Sequence, residues 1–347
     1  MMRTLLAGLV LSSLLGAAHP VRTPARGVNL AGPEFGTGLG TLHTTYTFNS
    51  EKSYRHFSER GLTLIRVPIK WERIQPVLGG PLDPQYLGGL KQNVSWAKAH
   101  GCRIVIDLHN YGRYSLQGRT SVIDNAYEGE IKVSSAHLAQ LWTSLSAEFK
   151  GEPAVYAYGL MNEPHEMGTA DWKAISQAVV AAIRKAGDTK LLLVPGTAWS
   201  SATNWAKYNG PRSWIDDPAG NFKYEAHVYF DRDRSGAYKL SYDEELAKNP
   251  ELPNVGAARL ADFTSWCAEN GVGGFLGEYA APNTDPRWLT VLENFLTALD
   301  AAGMDWTYWA GGEWWGSYPC SVQPREGFTV DAPQMDVLRR HLGAAPR

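Results

Sequence analysis

The stretch VYAYGLMNE (155–163) decides the fold, because it is a short, mostly apolar run that ends in Asn162 and Glu163. A second run, GGFLGEY (273–279), has the same form and places Glu278 near its end. Short apolar runs of this kind predict strands of a buried parallel sheet. The carboxyl ends of such strands are where α/β proteins place their reactive groups. The two glutamates therefore indicate chemistry as well as a fold.

Strand-like runs alternate with helical patterns along the whole chain. We predict strands at 27–32, 62–69, 102–109, 155–163, 190–197, 222–230, 273–279 and 304–311. Helical patterns lie at 51–60, 85–100, 134–150, 169–186, 201–208, 254–270, 286–302 and 332–342. Strict alternation predicts parallel strands, and eight strands close an α/β fold into a (β/α)8 TIM barrel. The longest connections, 110–133, 231–253 and 312–330, all follow strands and would lie at the reactive face.

Residues 1–18 have the pattern of a secretory signal peptide. Arg3 precedes an apolar run, and Gly16, Ala17 and Ala18 form a small-residue cleavage site. About 14 apolar residues are too few to span a bilayer. We therefore expect a secreted protein, extracellular or periplasmic, that has no membrane association after cleavage. Residues 19–347 predict one catalytic domain, since no linker or repeat interrupts the alternation, and we expect a monomer.

The charge and the aromatic content narrow the class of ligand. The formal net charge is −2 and no basic run is present, so the sequence favours neither nucleic acid nor an anionic membrane as partner. The substrate is expected to be neutral. The chain contains 13 Trp and 16 Tyr, and rings at the mouths of loops can stack on the apolar faces of sugars.

The cysteines and the His/Glu spacing give little support for a metal site. Cys102, Cys267 and Cys320 are an odd number, so one disulfide is possible while the pairing stays open. Cys102 and Cys267 are most simply small buried residues. Neither C-x-x-C nor H-E-x-x-H spacing occurs, and we expect neither a metal nor a cofactor.

Polar residues stand at the strand ends where core residues would otherwise be expected. One such residue would mean little, because buried polar groups often satisfy a local hydrogen bond. Eight of them on six strands of one barrel would point toward the same face. These residues are Arg66, His109, Asn162, Glu163, His227, Tyr229, Glu278 and Trp309.

Several motifs occur in a fixed order: LIRVPI (64–69), DLHNYGRY (107–114), MNEP (161–164), HVYFD (227–231) and GEY (277–279). With them the chain resembles the glycoside hydrolase family 5 cellulases of the (β/α)8 clan. The resemblance extends from GVNLAGPEFG (27–36) to YWAGGEWWG (308–316) and is strongest to a branch of endo-β-1,4-glucanases.

The resemblance implies that Glu163 is the acid/base and Glu278 the nucleophile of a retaining hydrolysis. That mechanism needs carboxyl groups about 5–5.5 Å apart. Glu278 must be ionised, with Arg66 as the natural cation beside it and Tyr229 as a hydrogen-bond donor. Glu163 must first be protonated, so an apolar site or the charge of Glu278 should raise its pKa, and His227 is a candidate to tune it.

The resemblance also implies roles in sugar binding. Asn162 would donate to the sugar 2-hydroxyl, a contact that strengthens in the oxocarbenium-like transition state. His109 would bind the same sugar, and Trp309 would form the floor of the cleavage subsite. Asn110, Tyr111 and Tyr114 follow His109 in the motif and are further candidates, with their roles open.

The substrate is expected to be cellulose or a soluble β-glucan, and three alternatives stay open. The same machinery could act on mannan, xyloglucan or mixed-linkage glucan. The barrel could bind carbohydrate without catalysis, although both glutamates argue against this. A metal-dependent hydrolase would need a His/Asp cluster that the sequence lacks.

Other residues have two interpretations each. Trp199, Trp314 and Trp315 either stack on sugar or pack in loops. Glu313, where many relatives carry a neutral residue, either faces the cleft or is a solvated loop charge. Asn93 starts a glycosylation sequon but lies in a predicted helix.

Overall fold

Eight parallel strands hydrogen-bond into a closed barrel in this computed structural model, which describes residues 24–125 and 131–342. The strands of the chain are β1 (Arg26–Leu30), β2 (Leu64–Ile69), β3 (Arg103–Leu108), β4 (Arg113–Leu116), β5 (Arg119–Val122), β6 (Val155–Gly159), β7 (Leu191–Pro195), β8 (Phe222–Tyr229), β9 (Gly273–Ala280) and β10 (Asp305–Gly311). The barrel order is β1-β2-β3-β6-β7-β8-β9-β10, with β10 pairing back to β1. The predicted (β/α)8 barrel is confirmed. The predicted signal peptide, residues 1–18, lies outside the described residues.

The helices lie between the barrel strands and follow the chain order of the prediction. They are α1 (Glu51–Glu59), α2 (Trp71–Ile74), α3 (Pro84–Ala99), α4 (Ser135–Phe149), α5 (Trp172–Lys185), α6 (Trp205–Asn209), α7 (Tyr242–Lys248), α8 (Val255–Asn270), α9 (Arg287–Ala301) and α10 (Gln334–Arg340). The predicted long connections carry extra elements: the antiparallel hairpin β4–β5, the helix α7, and short 3-10 turns at Leu252–Asn254 and Glu326–Phe328. In the described ranges, none of the helices is both long and apolar enough to cross a membrane.

The barrel interior changes from apolar to charged along the strands. Leu64, Val105 and Phe275 belong to an apolar cluster inside the barrel. Side chains two residues apart on a strand face the same side. Arg66 therefore follows Leu64, and Asp107 follows Val105, on the inner face, and all are fully buried. This buried charged layer lies directly beneath the cleft at the carboxyl ends of the strands.

Two predicted boundaries near the cleft are wrong. The helix expected at 201–208 is only α6, because Asn204 has a left-handed φ of 58° and cannot continue a helix into Trp205. Just before this segment, Ala198, Trp199 and Ser200 form a left-handed turn with φ of 54°, 63° and 49°. Strand β6 ends at Gly159, so Glu163 lies four residues beyond the strand rather than at its end. The backbone N–H of Asn162 still donates to the carbonyl of Leu108, which holds this segment beside β3.

Four further residues had alternative interpretations in the sequence that the structure decides. Cys102, Cys267 and Cys320 are buried free thiols, so the possible disulfide is not formed. Asn93 is fully buried and bonds to the hydroxyl of Tyr54, which excludes the sequon as a glycosylation site in the folded chain.

Glu313 lies at the junction of the last strand and the first helix, not in the cleft. Its carboxylate accepts the backbone N–H and the hydroxyl of Ser50 at 2.7 Å, and the hydroxyl of Ser53 at 2.8 Å. Ser50 is the N-cap of α1 but makes no side-chain cap of its own. A carboxylate at a helix N-terminus satisfies free N–H groups and interacts favourably with the helix dipole. Glu313 is thus an exposed residue that caps α1.

Candidate active site

Seven of the predicted residues line one cleft of about 610 Å³ at the carboxyl ends of the strands. They are His109, Tyr111, Glu163, His227, Tyr229, Glu278 and Trp309. Arg66 and Asn162 lie directly behind this surface and contact residues that line it. The cleft is also lined by residues that the sequence did not single out as site residues, among them Tyr208, Asp233 and Arg234.

A β-bulge aims Glu278 into the cleft. Along the β8–β9 pair, Ala226 lies opposite Leu276, but His227 lies opposite Glu278, so Gly277 is an extra residue on β9. Bulges of this kind redirect the following side chain and are frequent beside active sites. The carbonyl of Gly277 is held by Asn29 at 2.9 Å and by Thr307 at 2.7 Å.

Glu278 is surrounded by hydrogen-bond donors. Nη1 of Arg66 lies 3.0 Å from Oε1, and the hydroxyl of Tyr229 donates to Oε2 over 2.7 Å. The Glu278 side chain is only 5% exposed. A buried carboxylate with a cation on one oxygen and a hydroxyl donor on the other is stabilised in its ionised form.

The environment of Glu163 favours the neutral form of its carboxyl group. Burial raises its pKa above the ordinary value, an effect that the neighbouring charge of Glu278 reinforces and that His227 opposes. Nδ1 of His227 lies 2.6 Å from Oε1 of Glu163. The backbone of Glu163 has a φ of 44°, a conformation that is rare for residues other than glycine and clusters at functional sites. The surroundings thus favour a protonated carboxyl group.

The two carboxyl groups approach each other closely. One oxygen of Glu163, one oxygen of Glu278 and a ring nitrogen of His227 all lie within 4.8 Å of one another. Three such groups could also ligate a metal ion. Here the oxygens already accept hydrogen bonds from His227, Arg66 and Tyr229, an arrangement suited to holding and moving protons.

A hydrogen-bond chain fixes the amide of Asn162. Its Oδ1 accepts from Nη2 of Arg66 at 2.8 Å, and its Nδ2 lies 3.2 Å from Nε2 of His109. Nδ1 of His109 lies 2.8 Å from Oδ2 of Asp107. Since an amide nitrogen can only donate, Nε2 of His109 accepts and Nδ1 carries the hydrogen. The second hydrogen of the Asn162 amide remains for a ligand.

Aromatic rings form the floor and one wall of the cleft. Trp309 stacks on His109 with a centroid distance of 5.4 Å and an angle of 14°. Trp315 packs edge-on against Trp309 at 6.0 Å. On the opposite side, Trp199 is 49% exposed and stacks on His165. The left-handed turn presents the Trp199 ring to the cleft, and Trp314, 40% exposed, does not line it.

Asn110 belongs to the scaffold rather than to the cleft surface. Its Oδ1 accepts from the backbone of Trp71 at 2.8 Å, and its Nδ2 donates to Glu72 at 2.7 Å. Both ends of the amide are therefore used by the protein. Tyr111, in contrast, lines the cleft and meets the ring of His109 edge-on at 5.3 Å.

The sequence reasoning missed two buried carboxyl groups beneath the site, Asp107 and Glu225. Nη2 of Arg66 lies 3.0 Å from Oδ1 of Asp107 and 3.0 Å from Oε1 of Glu225. A signal for them exists in the sequence. Each precedes a histidine by two residues, His109 and His227, and residues two apart on a strand share a face.

Known proteins share this architecture. The chain matches the cellulase family (glycosyl hydrolase family 5) over residues 23–314. Endo-β-1,4-glucanase B of Aspergillus niger is 30% identical over 345 residues, covering 97% of this chain and 96% of the relative. The solved structure of XacCel5A in complex with cellopentaose is 36% identical with a TM-score of 0.80, covering 92% of this chain and 100% of that chain. Endoglucanase Cel5A of Pseudomonas stutzeri in complex with cellobiose is 35% identical with a TM-score of 0.80, covering 92% of both chains. The chain belongs to glycosyl hydrolase family 5, the cellulase family.

Proposed function

We propose that this chain is a secreted, retaining endo-β-1,4-glucanase that hydrolyses internal bonds of cellulose or a soluble β-glucan. The observation that carries the proposal is the pair of carboxyl groups, Glu163 and Glu278, whose oxygens lie within 4.8 Å. Inverting glycosidases separate the two groups by about 6.5–9.5 Å to admit a water molecule, whereas retaining enzymes hold them about 5–5.5 Å apart. The environment of Glu163 favours a protonated group, which suits the acid/base, and the donors around Glu278 suit an ionised nucleophile.

In the first step, Glu278 attacks the anomeric carbon while Glu163 protonates the glycosidic oxygen. Arg66 and Tyr229 hold Glu278 ionised and oriented. Because Oε1 of Glu163 accepts a hydrogen bond from His227, its proton is carried on the other oxygen. The C–O bond to the leaving sugar breaks, and a covalent glycosyl-enzyme forms.

In the second step, Glu163 acts as a base. Now ionised, it takes a proton from a water molecule that attacks the anomeric carbon of the glycosyl-enzyme. The bond to Glu278 breaks, so that Glu278 is again a carboxylate and Glu163 is again protonated. Two inversions at one carbon give net retention of the β configuration.

The sugar at the cleavage point would be held by groups around Glu278. The free hydrogen of the Asn162 amide donates to the 2-hydroxyl, His109 contacts the same sugar, and Trp309 forms the floor. The backbone N–H of Trp199 donates to the carbonyl of Pro164, the residue after Glu163. Trp199 is therefore on the side of the proton donor, where the leaving sugar would stack.

The choice of β-1,4-glucan as substrate rests on the relatives. The similar solved structures are described as complexes with cellopentaose and with cellobiose. An open cleft with aromatic rings on both sides of the glutamates fits a chain of such sugars. Release of reducing sugar from carboxymethylcellulose, mannan and xyloglucan under matched conditions tests this assignment. A clear preference for mannan or xyloglucan would overturn it.

The catalytic assignment is tested by Glu278→Ala. We expect it to abolish hydrolysis while the fold is retained. Glu148→Ala is a matched control, since Glu148 is a surface residue paired with Lys91. Equal activity of Glu278→Ala and the wild type would remove Glu278 as nucleophile.

Export is tested separately from activity. We propose that residues 1–18 direct secretion and are then removed. N-terminal sequencing of the protein from the culture medium should begin after Ala18. An intact N-terminus in a protein retained in the cytoplasm would contradict secretion.

A further inference from the structure

Two carboxyl groups that no step of the proposed reaction uses lie directly beneath the catalytic glutamates. Asp107 and Glu225 are both fully buried, and both contact Nη2 of Arg66 at 3.0 Å. Each also pairs with a different histidine of the site. Oδ2 of Asp107 lies 2.8 Å from His109, and Oε1 of Glu225 lies 3.4 Å from Nε2 of His227.

Glycines on the neighbouring strands make room for these carboxyl groups. A Cβ atom at Gly277 would lie 2.0 Å from Oε1 of Glu225 and 2.8 Å from Nε2 of His227, closer than real Cβ contacts. A Cβ atom at Gly159 would lie 3.2 Å from Oδ1 of Asp107. Gly277 is also the bulge residue that aims Glu278. The same position of β9 therefore serves both the nucleophile and the placement of Glu225 beside His227.

The two histidines are held in opposite charge states. Burial lowers the pKa of His109 well below its ordinary value. Burial would also lower the pKa of His227, but Glu278 and the hydrogen bonds to Glu163 and Glu225 raise it to about 10.

Asp107 and Glu225, the carboxyl groups that pair with these two histidines, also differ in charge state. Burial raises the pKa of Asp107 to about 7, so that below this pH the group is mostly neutral. Burial would also raise the pKa of Glu225, but Arg66 and His227 hold it below its ordinary value. Glu225 is thus the ionised member of the two, and it lies beside the charged histidine.

We propose that Glu225 is a positioning residue that keeps His227 as an imidazolium with a fixed ring and thereby supports the acid/base function of Glu163. Glu225 is fully buried and does not line the cleft. It acts through His227, whose Nδ1–H donates to Oε1 of Glu163 over 2.6 Å. When Glu163 gives up its proton, the imidazolium already faces the new carboxylate.

Three carboxyl groups contact the ring of His227. Glu163 and Glu278 face the ring from the cleft side, at 2.6 and 3.6 Å from Nδ1. Glu225 faces Nε2 from below. Arg66, Asp107 and His109 belong to the same buried layer. Glu225 alone of the three carboxyl groups that contact His227 has no role in bond breaking, so its charge can be removed without removing a reacting group.

The test measures the titration of the His227 ring in the full chain by NMR with labelled histidine. We expect Glu225→Gln to lower the proton affinity of His227 at least tenfold. The matched control is Asp107→Asn, which removes a carboxyl group of the same buried layer that contacts His109 rather than His227 and should change the proton affinity of His227 less than threefold. With an aryl β-cellobioside, Glu225→Gln should lower kcat at least tenfold and leave KM within twofold.

Two outcomes overturn the proposal. One is a folded Glu225→Gln protein with an unchanged His227 titration, and the other is a shifted titration with unchanged kcat. If the Gln variant does not fold, Glu225→Asp takes its place, since it keeps the charge but withdraws it from Nε2. A partial fall in both quantities is then expected, and unchanged values would overturn the proposal.

The kinetic part rests on the proposed function, but the NMR part does not. The titration is read without substrate. A wild-type protein that is inactive on every β-glucan would contradict the proposed function, while the His227 titration would still decide the role of Glu225.

Discussion

Replacing Tyr229 by Phe removes one oxygen atom from the site, the hydroxyl that donates to Oε2 of Glu278 over 2.7 Å. Since the Glu278 side chain is 5% exposed, water has little room to replace it. A hydrogen bond to a charged group contributes about 1.5–3 kcal/mol. At about 1.4 kcal/mol for each tenfold change in rate, kcat should fall about 10- to 150-fold. Arg66 stays on Oε1, so the loss should be partial.

The assay is steady-state hydrolysis of an aryl β-cellobioside at a fixed pH. Tyr114→Phe is the matched control, because Tyr114 is also fully buried and its hydroxyl donates to the carbonyls of Gln75 and Pro76. We expect the control to cost about 1 kcal/mol of stability and to leave kcat unchanged. Refutation would take the form of a Tyr229→Phe enzyme within threefold of wild type, or an equal loss in both variants.

Three further predictions concern stability and binding. Burial raises the pKa of Asp107 from 3.8 to about 7, so its contribution to stability is fully present below pH 3.8 and is lost as the pH rises through 7. In wild type the unfolding free energy should therefore fall between pH 4 and 8, and in Asp107→Asn it should fall by up to about 4 kcal/mol less. Denaturant titration at several pH values measures this difference, and the same fall in both proteins would contradict it. Trp199→Ala should raise KM for cello-oligosaccharides about 2- to 13-fold with kcat little changed, as expected for the loss of about 0.5–1.5 kcal/mol of ring stacking. An unaltered KM would exclude Trp199 as a sugar-stacking residue. Glu313→Gln should lower stability by about 0.5–2 kcal/mol through the weakened cap of α1, while a changed substrate preference would place this residue in the cleft after all.

The barrel itself could be predicted from the sequence because two periodicities alternate eight times. Apolar runs such as LLLVP (191–195) and helical patterns such as that of α5 are local signals that burial then reinforces. The prediction of a helix at 201–208 was wrong because distant contacts decide the backbone conformation of this region. The left-handed turn at 198–200 is stabilised by distant groups, since the N–H of His227 donates to the carbonyl of Ser200. No local pattern reports such a contact.

The clustering of Glu163 and Glu278 with Arg66, Tyr229 and His227 could also be predicted, since these residues stand at or near the ends of apolar runs. Asp107 and Glu225 could not be recognised in this way, because a carboxyl group inside an apolar run is normally unfavourable. Their stability depends on Arg66, which lies on a third strand and contacts both. Asn110 shows that a residue can belong to a site motif without reaching the cleft surface. It belongs to the motif of His109, but its amide is used by Trp71 and Glu72.

The most direct test of the central claim is the configuration of the first product. Hydrolysis of a defined cello-oligosaccharide, followed by proton NMR within minutes, distinguishes the two anomers before they equilibrate. With Glu163 and Glu278 within 4.8 Å, the β-anomer should appear first. Initial release of the α-anomer would show that the two carboxyl groups do not act as acid/base and nucleophile.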